Sequence, residues 1–476
     1  MSNTFTASVR NFTPARHGFL FKNSFEIKDL TLPDSITRKI ALSKYGLCGG
    51  MAHGAHELFE AGEAIPRVTT PPKPKTPLYF YLTGGLLESF GPALRDMNKM
   101  ISWYEMPDGS TALPKLTIRE LQRLKIQLLK GKLTQLMICY NTEKTGDAWD
   151  NHQVLAYRIE ERDKAGTIWI YEPNNSGNEN ARIEYTLDDA GVHMNEFEYQ
   201  TDVTGSKQVR GFFCVFPRVE DPLTKPAYLL HKGTDFFMER MKNNLRMGIY
   251  DIARDLTTYS QLTPLQIVQL LRRFGYSATD IARVCKDVFK LSVTASLNLL
   301  TKLNFTAGQL TAALHIVFRK TASWIVTELL KRRLDLIQVA TAVQAYFRMQ
   351  LVDLVKVLKA AGVTVHRIVS LLRTKFGITN VRTLARMLRE ARFTVSDIIG
   401  ALKRAGMGIK DAIIILRSDF RSSVLNAAKI MRDHFGNKPT DILKALWKYG
   451  NTSFGDLLSA ATRIFGMGRL NLLRIL

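Results

Sequence analysis

The sequence predicts an α+β domain followed by an all-α solenoid of about fourteen short helices. Three observations predict this. The apolar pattern is helical between residues 45 and 130, it takes the period of strands from Leu133 to about Pro217, and after about residue 260 one helix-length unit repeats to the end.

In the first part, AHGAHELFEAG is closed by Gly62, the proline-rich VTTPPKPKTP is a stiff extended loop, and PLYFYLTGGLLESFG and TIRELQRLKIQLLKG form further helices. Six β-rich runs follow: LTQLMICYNTE, NHQVLAYRIEERD, GTIWIYEP, ARIEYTL, HMNEFEYQ and VRGFFCVFPRV. Asn, Gly and Asp clusters separate them, as in an antiparallel meander. Helices first and strands after make an α+β domain. The expected boundaries are 1–225 for this domain, 226–258 for a connector, and 259–476 for the repeats.

In the repeats, Phe289, Phe318, Phe347 and Phe376 stand 29 residues apart. Interleaved half-units have their first apolar anchors at Ile267, Ile281, Leu297, Leu310, Val326, Val339, Leu354, Ile368, Leu384, Ile398, Ala412, Ala427, Ile442 and Leu457. Apolar residues recur at the anchor, +3, +4 and usually +8, the stripe of a short amphipathic helix. The +8 place is mostly Phe, read as a packing knob, or Gly, read as a stop. Asp often precedes the anchor, as at Asp280, Asp397 and Asp456, where the positive end of a helix favours it. Helices this short persist only by stacking on neighbours.

Charge is divided unevenly along the chain. The net charge is +23. Residues 1–239 carry 28 Lys+Arg against 29 Asp+Glu, and residues 240–476 carry 38 against 14. Ten basic residues stand five places after an anchor: Arg272, Lys286, Lys302, Lys331, Lys359, Arg373, Arg389, Lys403, Arg417 and Arg432. At about 100° per residue that place points away from the apolar stripe. It reads either as a solubilising face or as a ladder for an anionic partner: nucleic acid, an acidic membrane surface or an acidic protein.

The four cysteines, 48, 139, 214 and 285, have neither CxxC nor metal-finger spacing, which argues against a disulfide framework or structural zinc. Cys139, Cys214 and Cys285 lie in apolar runs and read as buried fillers. The first residues lack the apolar core of a signal peptide, and no run approaches the roughly 18 apolar residues of a membrane span. The expected site of synthesis is the cytoplasm, with any export by a signal-peptide-independent route.

Cys48 is different. It stands in YGLCGGM, where a glycine-flanked turn enters a helix, and a helix N-terminus lowers a thiol's pKa. Gly49 and Gly50 leave room for a substrate backbone, and their amides are candidate oxyanion donors. His152 opens a strand about a hundred residues later, and YEPNN ends the next. A nucleophile, a distant base and a polar group to orient it follow triad logic. His53, His56, Glu57 and Glu60 share helical spacing, but HGAHE is not an HExxH box and reads as a solvated face. Trp103 and Trp149 are candidates for a cleft wall or for core packing.

On GLCGGM, NHQVLAY and YEPNN, with FTPARHGFLFKNSF as an opening segment, residues 11 to 220 resemble papain-like cysteine peptidases of a bacterial type. The resemblance implies Cys48 as nucleophile and His152 as general base, with Glu172 or Asn174 orienting the imidazole. It implies a protein or peptide substrate and no cofactor. Glu172 stands where the pattern favours Asp, and Leu42 where papain has its oxyanion-hole Gln. That role passes to Asn151 or a backbone amide, or the site is silent. The expectation is therefore a cysteine hydrolase, peptidase or acyl-transfer enzyme, effector- or toxin-like in organisation, carried to an anionic target by its solenoid. The alternative is a non-enzymatic binding protein on an inactive papain-like scaffold.

Overall fold

The structure is a computed structural model that describes residues 4–25, 46–140, 151–194, 209–436 and 438–476. Its chain divides into two compact units, Met1–Thr263 and Pro264–Leu476.

The first unit is built on a seven-stranded antiparallel sheet. The strands are β1 (Thr4–Ser8), β2 (Thr134–Tyr140), β3 (His152–Arg162), β4 (Ala165–Tyr171), β5 (Arg182–Asp188), β6 (Gly191–Met194) and β7 (Val209–Val215). The six expected runs all contribute strands. The order β6-β5-β4-β3-β2-β7 departs from a simple meander, because the last strand returns to pair with β2. β3 is long enough for two partners on one side: β2 pairs with His152–Ala156 and β1 with Arg158–Arg162. Only one residue of β1 is buried, so the sequence carries little sign of it.

Around the sheet lie α1 (Pro14–His17), α2 (Cys48–Glu60), α3 (Pro77–Glu88), α4 (Arg95–Tyr104) and α5 (Ala112–Leu129). α2 packs against both α3 and β3. Gly50 makes this possible, since a β-carbon there would lie 1.9 Å from the Leu82 carbonyl oxygen of α3. Residues 226–258, expected as a connector, are largely helical: α6 (Pro226–Lys232), α7 (Thr234–Glu239), a π-helical turn (Arg240–Asn244) and most of α8 (Ile249–Tyr259). Tyr228 of α6 belongs to the core, 5.2 Å from the ring of Tyr81.

The second unit contains fifteen α-helices among the described residues, α9 (Pro264–Arg273) through α22 (Phe454–Phe465) and then α23 (Arg469–Ile475). The fourteen anchors fall one in each of α9 to α22, and every one is buried. Side chains of Ser277, Ser292, Thr306, Thr321, Asp335, Asn380, Thr394, Ser423 and Ser453 cap helix N-termini, each accepting from the amide three residues on. The recurrent Asp before the anchor is thereby explained. Asp280, Asp397 and Asp456 sit third in their helices and accept from the capping hydroxyls of Ser277, Thr394 and Ser453 at 2.6, 2.5 and 2.8 Å.

Candidate active site

Three elements meet at Cys48, the first residue of α2. β3 supplies His152 as its first residue, and Glu172 follows the last residue of β4. His152 Nε2 lies 2.5 Å from Glu172 Oε1. The imidazole is also hydrogen-bonded to the Cys48 thiol. The structure thus brings together the Cys, His and acid that the sequence set in order.

Between Glu172 and Asn174 the geometry makes a clear division. Glu172 is the fully buried partner of His152. Asn174 donates its backbone amide to Glu172 Oε1 at 2.8 Å, and its side-chain Nδ2 stands 3.4 Å from His152 Nε2. Asn174 therefore steadies the carboxylate that holds the imidazole.

The electrostatics favour charge separation. Burial works against a thiolate at Cys48, but the neighbouring His152 charge and hydrogen bond, with the Gln153 backbone amide, outweigh it and lower the thiol pKa. For His152 burial also opposes the charged form. The Glu172 carboxylate and the Cys48 sulfur overcome it and raise the imidazole to about 10. Both shifts favour a thiolate–imidazolium pair. By contrast, burial pushes Cys139 and Cys285 up to about 12 and Cys214 higher still. These three are buried, and Cys48 is the partly exposed cysteine.

Four polar residues with no linking spacing in the sequence stand around Cys48. Gln135 Nε2 donates to the Gly49 carbonyl oxygen at 3.0 Å and to Gln153 Oε1 at 2.6 Å. Gln153 Nε2 donates to Ser89 Oγ at 3.0 Å, and Ser89 donates to the Leu86 carbonyl at 2.6 Å. All three side chains are buried, so this chain fixes the first turn of α2 against β2, β3 and the end of α3. Tyr140, the last residue of β2, is the fourth. Burial first, then the Glu172 and Cys48 charges, keep its phenol protonated. Side chains scattered along separate strands leave no spacing signal, and only the paired register collects them.

Several expectations are corrected here. Gly49 and Gly50 make room for packing within the fold: a β-carbon at Gly49 would lie 2.6 Å from Ser89 Oγ, and Gly50 abuts Leu82. The His53, His56 and Glu57 face is buried. His53 Nε2 lies 2.9 Å from Glu88 and 3.2 Å from Glu57, while Lys225 Nζ lies 2.7 Å from Glu57 and 2.6 Å from Glu88. His53, Glu57 and Glu88 bring their ligand atoms within 4.8 Å of one another. The cation held by the two carboxylates is Lys225, which ties the chain after β7 to α2 and α3. Trp103 is a core residue, 5.1 Å from the Phe213 ring. Asn151 is buried, with Oδ1 accepting from the Tyr140 amide at 2.9 Å and Nδ2 without a partner among the described residues. Leu42 and Trp149 lie outside the described residues.

The ten +5 cations in the second unit are exposed or half-buried, as their helical angle predicts. Seven of them engage residues 31 to 34 positions on, in the region of the second helix along. Lys286 donates to the Val317 carbonyl, Lys359 to Ala391 and Arg392, Arg373 to Ala405, Arg417 to Gly450 and Asn451, and Arg432 to Ile464. Arg272 lies over the Phe305 ring at 4.2 Å and Arg389 over Phe420 at 4.7 Å. Lys331 pairs with Glu328 in its own helix. Most of the ladder therefore stitches helix ends together, meeting carbonyls that a helix C-terminus leaves open. Lys302 and Lys403 make no such contact among the described residues.

No helix among the described residues is long and apolar enough to cross a membrane. No family model, curated protein or solved structure matches this chain.

Proposed function

We propose that the first unit is a cysteine hydrolase of papain-like type, acting on an amide or thioester carbonyl of a protein or peptide. The observation that carries this reading is the His152 imidazole, hydrogen-bonded both to the Cys48 thiol and to the buried Glu172 carboxylate. The thiolate attacks the carbonyl carbon, the imidazolium protonates the leaving amine or thiol, and an acyl-enzyme forms. Neutral His152 then takes a proton from water, which attacks the acyl carbon and returns Cys48. Glu172 keeps the imidazole oriented and stabilises its charge. The Cys48 amide in the first turn of α2 and Asn151 Nδ2 are the candidate donors to the oxyanion.

The experiment is incubation of the full chain with a peptidyl electrophile that acylates or alkylates thiols, read by intact mass and peptide mapping. One adduct per chain, on Cys48, is expected, with labelling at least roughly a hundredfold slower in His152→Ala. Equal modification of all four cysteines in the folded protein contradicts the reading.

A further inference from the structure

Fourteen residues of the second unit have a left-handed backbone, one after each of α9 to α22. Six are glycines (Gly275, Gly362, Gly377, Gly406, Gly436 and Gly466), which adopt this conformation without strain, and two are Asn304 and Asn451. The other six are Lys290, Arg319, Arg333, Arg348, Arg392 and Arg421. A β-carbon is disfavoured there, and glycine closes the other ends of the same repeat. All six cations are exposed, and their side chains make no hydrogen bond, ion pair or ring contact among the described residues. Favourable charge near a helix C-terminus does not explain Lys290, Arg333, Arg392 and Arg421, since Lys286, Lys331, Arg389 and Arg417 already stand in the last turns before them; α12 and α14, which precede Arg319 and Arg348, carry no +5 cation. Long cations held at strained positions and left unpaired are available to a partner.

Three of the six form a row. Lys290, Arg319 and Arg348 follow α10 (Ala278–Asp287), α12 (Ala307–Phe318) and α14 (Leu336–Phe347), which stack on one another in that order. Their C-terminal ends are adjacent: Lys286 of α10 reaches the Val317 carbonyl of α12 at 3.2 Å, and His315 of α12 meets the Phe347 ring of α14 edge-on at 4.8 Å. Each cation directly follows a half-buried phenylalanine, Phe289, Phe318 or Phe347. We propose that this edge, with its row of cation–phenylalanine pairs, binds single-stranded nucleic acid.

A pair of one charge and one aromatic ring, repeated at successive helix ends, matches a polymer that repeats one phosphate and one base. Arginine supplies a planar fork for phosphate oxygens. An acidic protein surface offers no such period. An acidic membrane is met by several apolar side chains that insert beside the cations, and of the exposed large apolar residues described in the second unit only Ile316 stands near the C-terminal end of a helix in this row, Ile337 opening α14 and Trp447, Leu470, Leu473 and Leu476 lying further along the chain.

The test measures binding of a labelled single-stranded oligonucleotide to the full chain across a salt series, for the wild type and for Lys290→Gly/Arg319→Gly/Arg348→Gly. Glycine is native to six equivalent ends, so the variant's Tm should equal or exceed that of the wild type. Its affinity should fall at least roughly tenfold, and the slope of log K against log salt should flatten by about 2, the share of three phosphate contacts on a single strand. Unchanged affinity and slope overturn the proposal. A lowered Tm overturns it too, by showing that these cations serve the fold. So does binding to phosphatidylserine vesicles without binding to the oligonucleotide, which makes a membrane the occupant.

Discussion

The charge on Cys48 is set by His152, and the charge on His152 is held by Glu172, so each can be shifted through the other. The thiol is lowered from its usual range and the imidazole raised to about 10, so the reactive pair persists across a plateau. It is lost at low pH as the thiolate is protonated and at high pH as His152 gives up its proton, each limb belonging to the coupled pair. Glu172→Gln removes the carboxylate that raises His152. The alkaline limb of acylation should then move to lower pH and the plateau rate fall roughly tenfold or more, while Glu172→Asp keeps the charge and should keep the position of the limb. An unmoved alkaline limb in Glu172→Gln would remove Glu172 from the site. At this scale the sequence was legible where chemistry demands a residue type in a recognisable box, as for Cys48 and His152, whereas the orienting group stayed open between Glu172 and Asn174. It was illegible for Gln135, Gln153 and Ser89, whose roles exist only once β2, β3 and α3 are assembled.

Helix α2 carries Cys48, the proposed nucleophile, and its position rests on contacts far away in sequence. Gln135→Leu removes the donor to the Gly49 carbonyl while leaving Cys48 and His152 in place. Catalytic turnover should drop with little change in KM, because a misplaced nucleophile weakens the transition state more than ground-state binding. Gln135→Glu, which retains bonding atoms but not the donor, should not restore it, and a Gln135→Leu variant with normal turnover would dismiss the network. On the same helix, burial and then the neighbouring His53 charge lower His56 to about 4. The unfolded chain binds the extra proton between about pH 6.5 and 4, so stability should fall as pH drops through that window, by up to roughly 3 kcal/mol. His56→Gln should flatten that part of the pH dependence in urea titrations. In the second unit, the helices were legible because each needs an apolar stripe, and all fourteen anchors are buried. The carbonyl partners of the +5 cations were not, since they lie 31 to 34 residues on. Arg417→Ala should therefore cost about 1–2 kcal/mol, whereas Lys302→Ala should stay within about 0.5 kcal/mol. Equal costs would mean that the stitches contribute nothing.

At the scale of the molecule, two compact units of opposite character share one chain. The sequence showed the change in period and charge, but it placed the end of the first unit too early by contact, because PAYLLHKG reads as a linker until Tyr228 is seen packed against Tyr81 and Lys225 between Glu57 and Glu88. A fragment ending at Thr263 should unfold cooperatively on its own. One ending at Lys225 loses the buried Tyr228, Leu229 and Leu230 and should be less stable by at least about 3 kcal/mol. The proposed hydrolase depends on Cys48 being held as a thiolate by His152. The most direct measurement is the ultraviolet absorbance of thiolate, titrated with pH in the full chain and in Cys48→Ala and His152→Ala variants. One thiolate per chain should form below the usual thiol range, absent there from both variants, with Cys139, Cys214 and Cys285 silent until far higher pH. A wild-type curve in which no thiolate forms below the usual thiol range, or one that His152→Ala leaves unchanged, would contradict this.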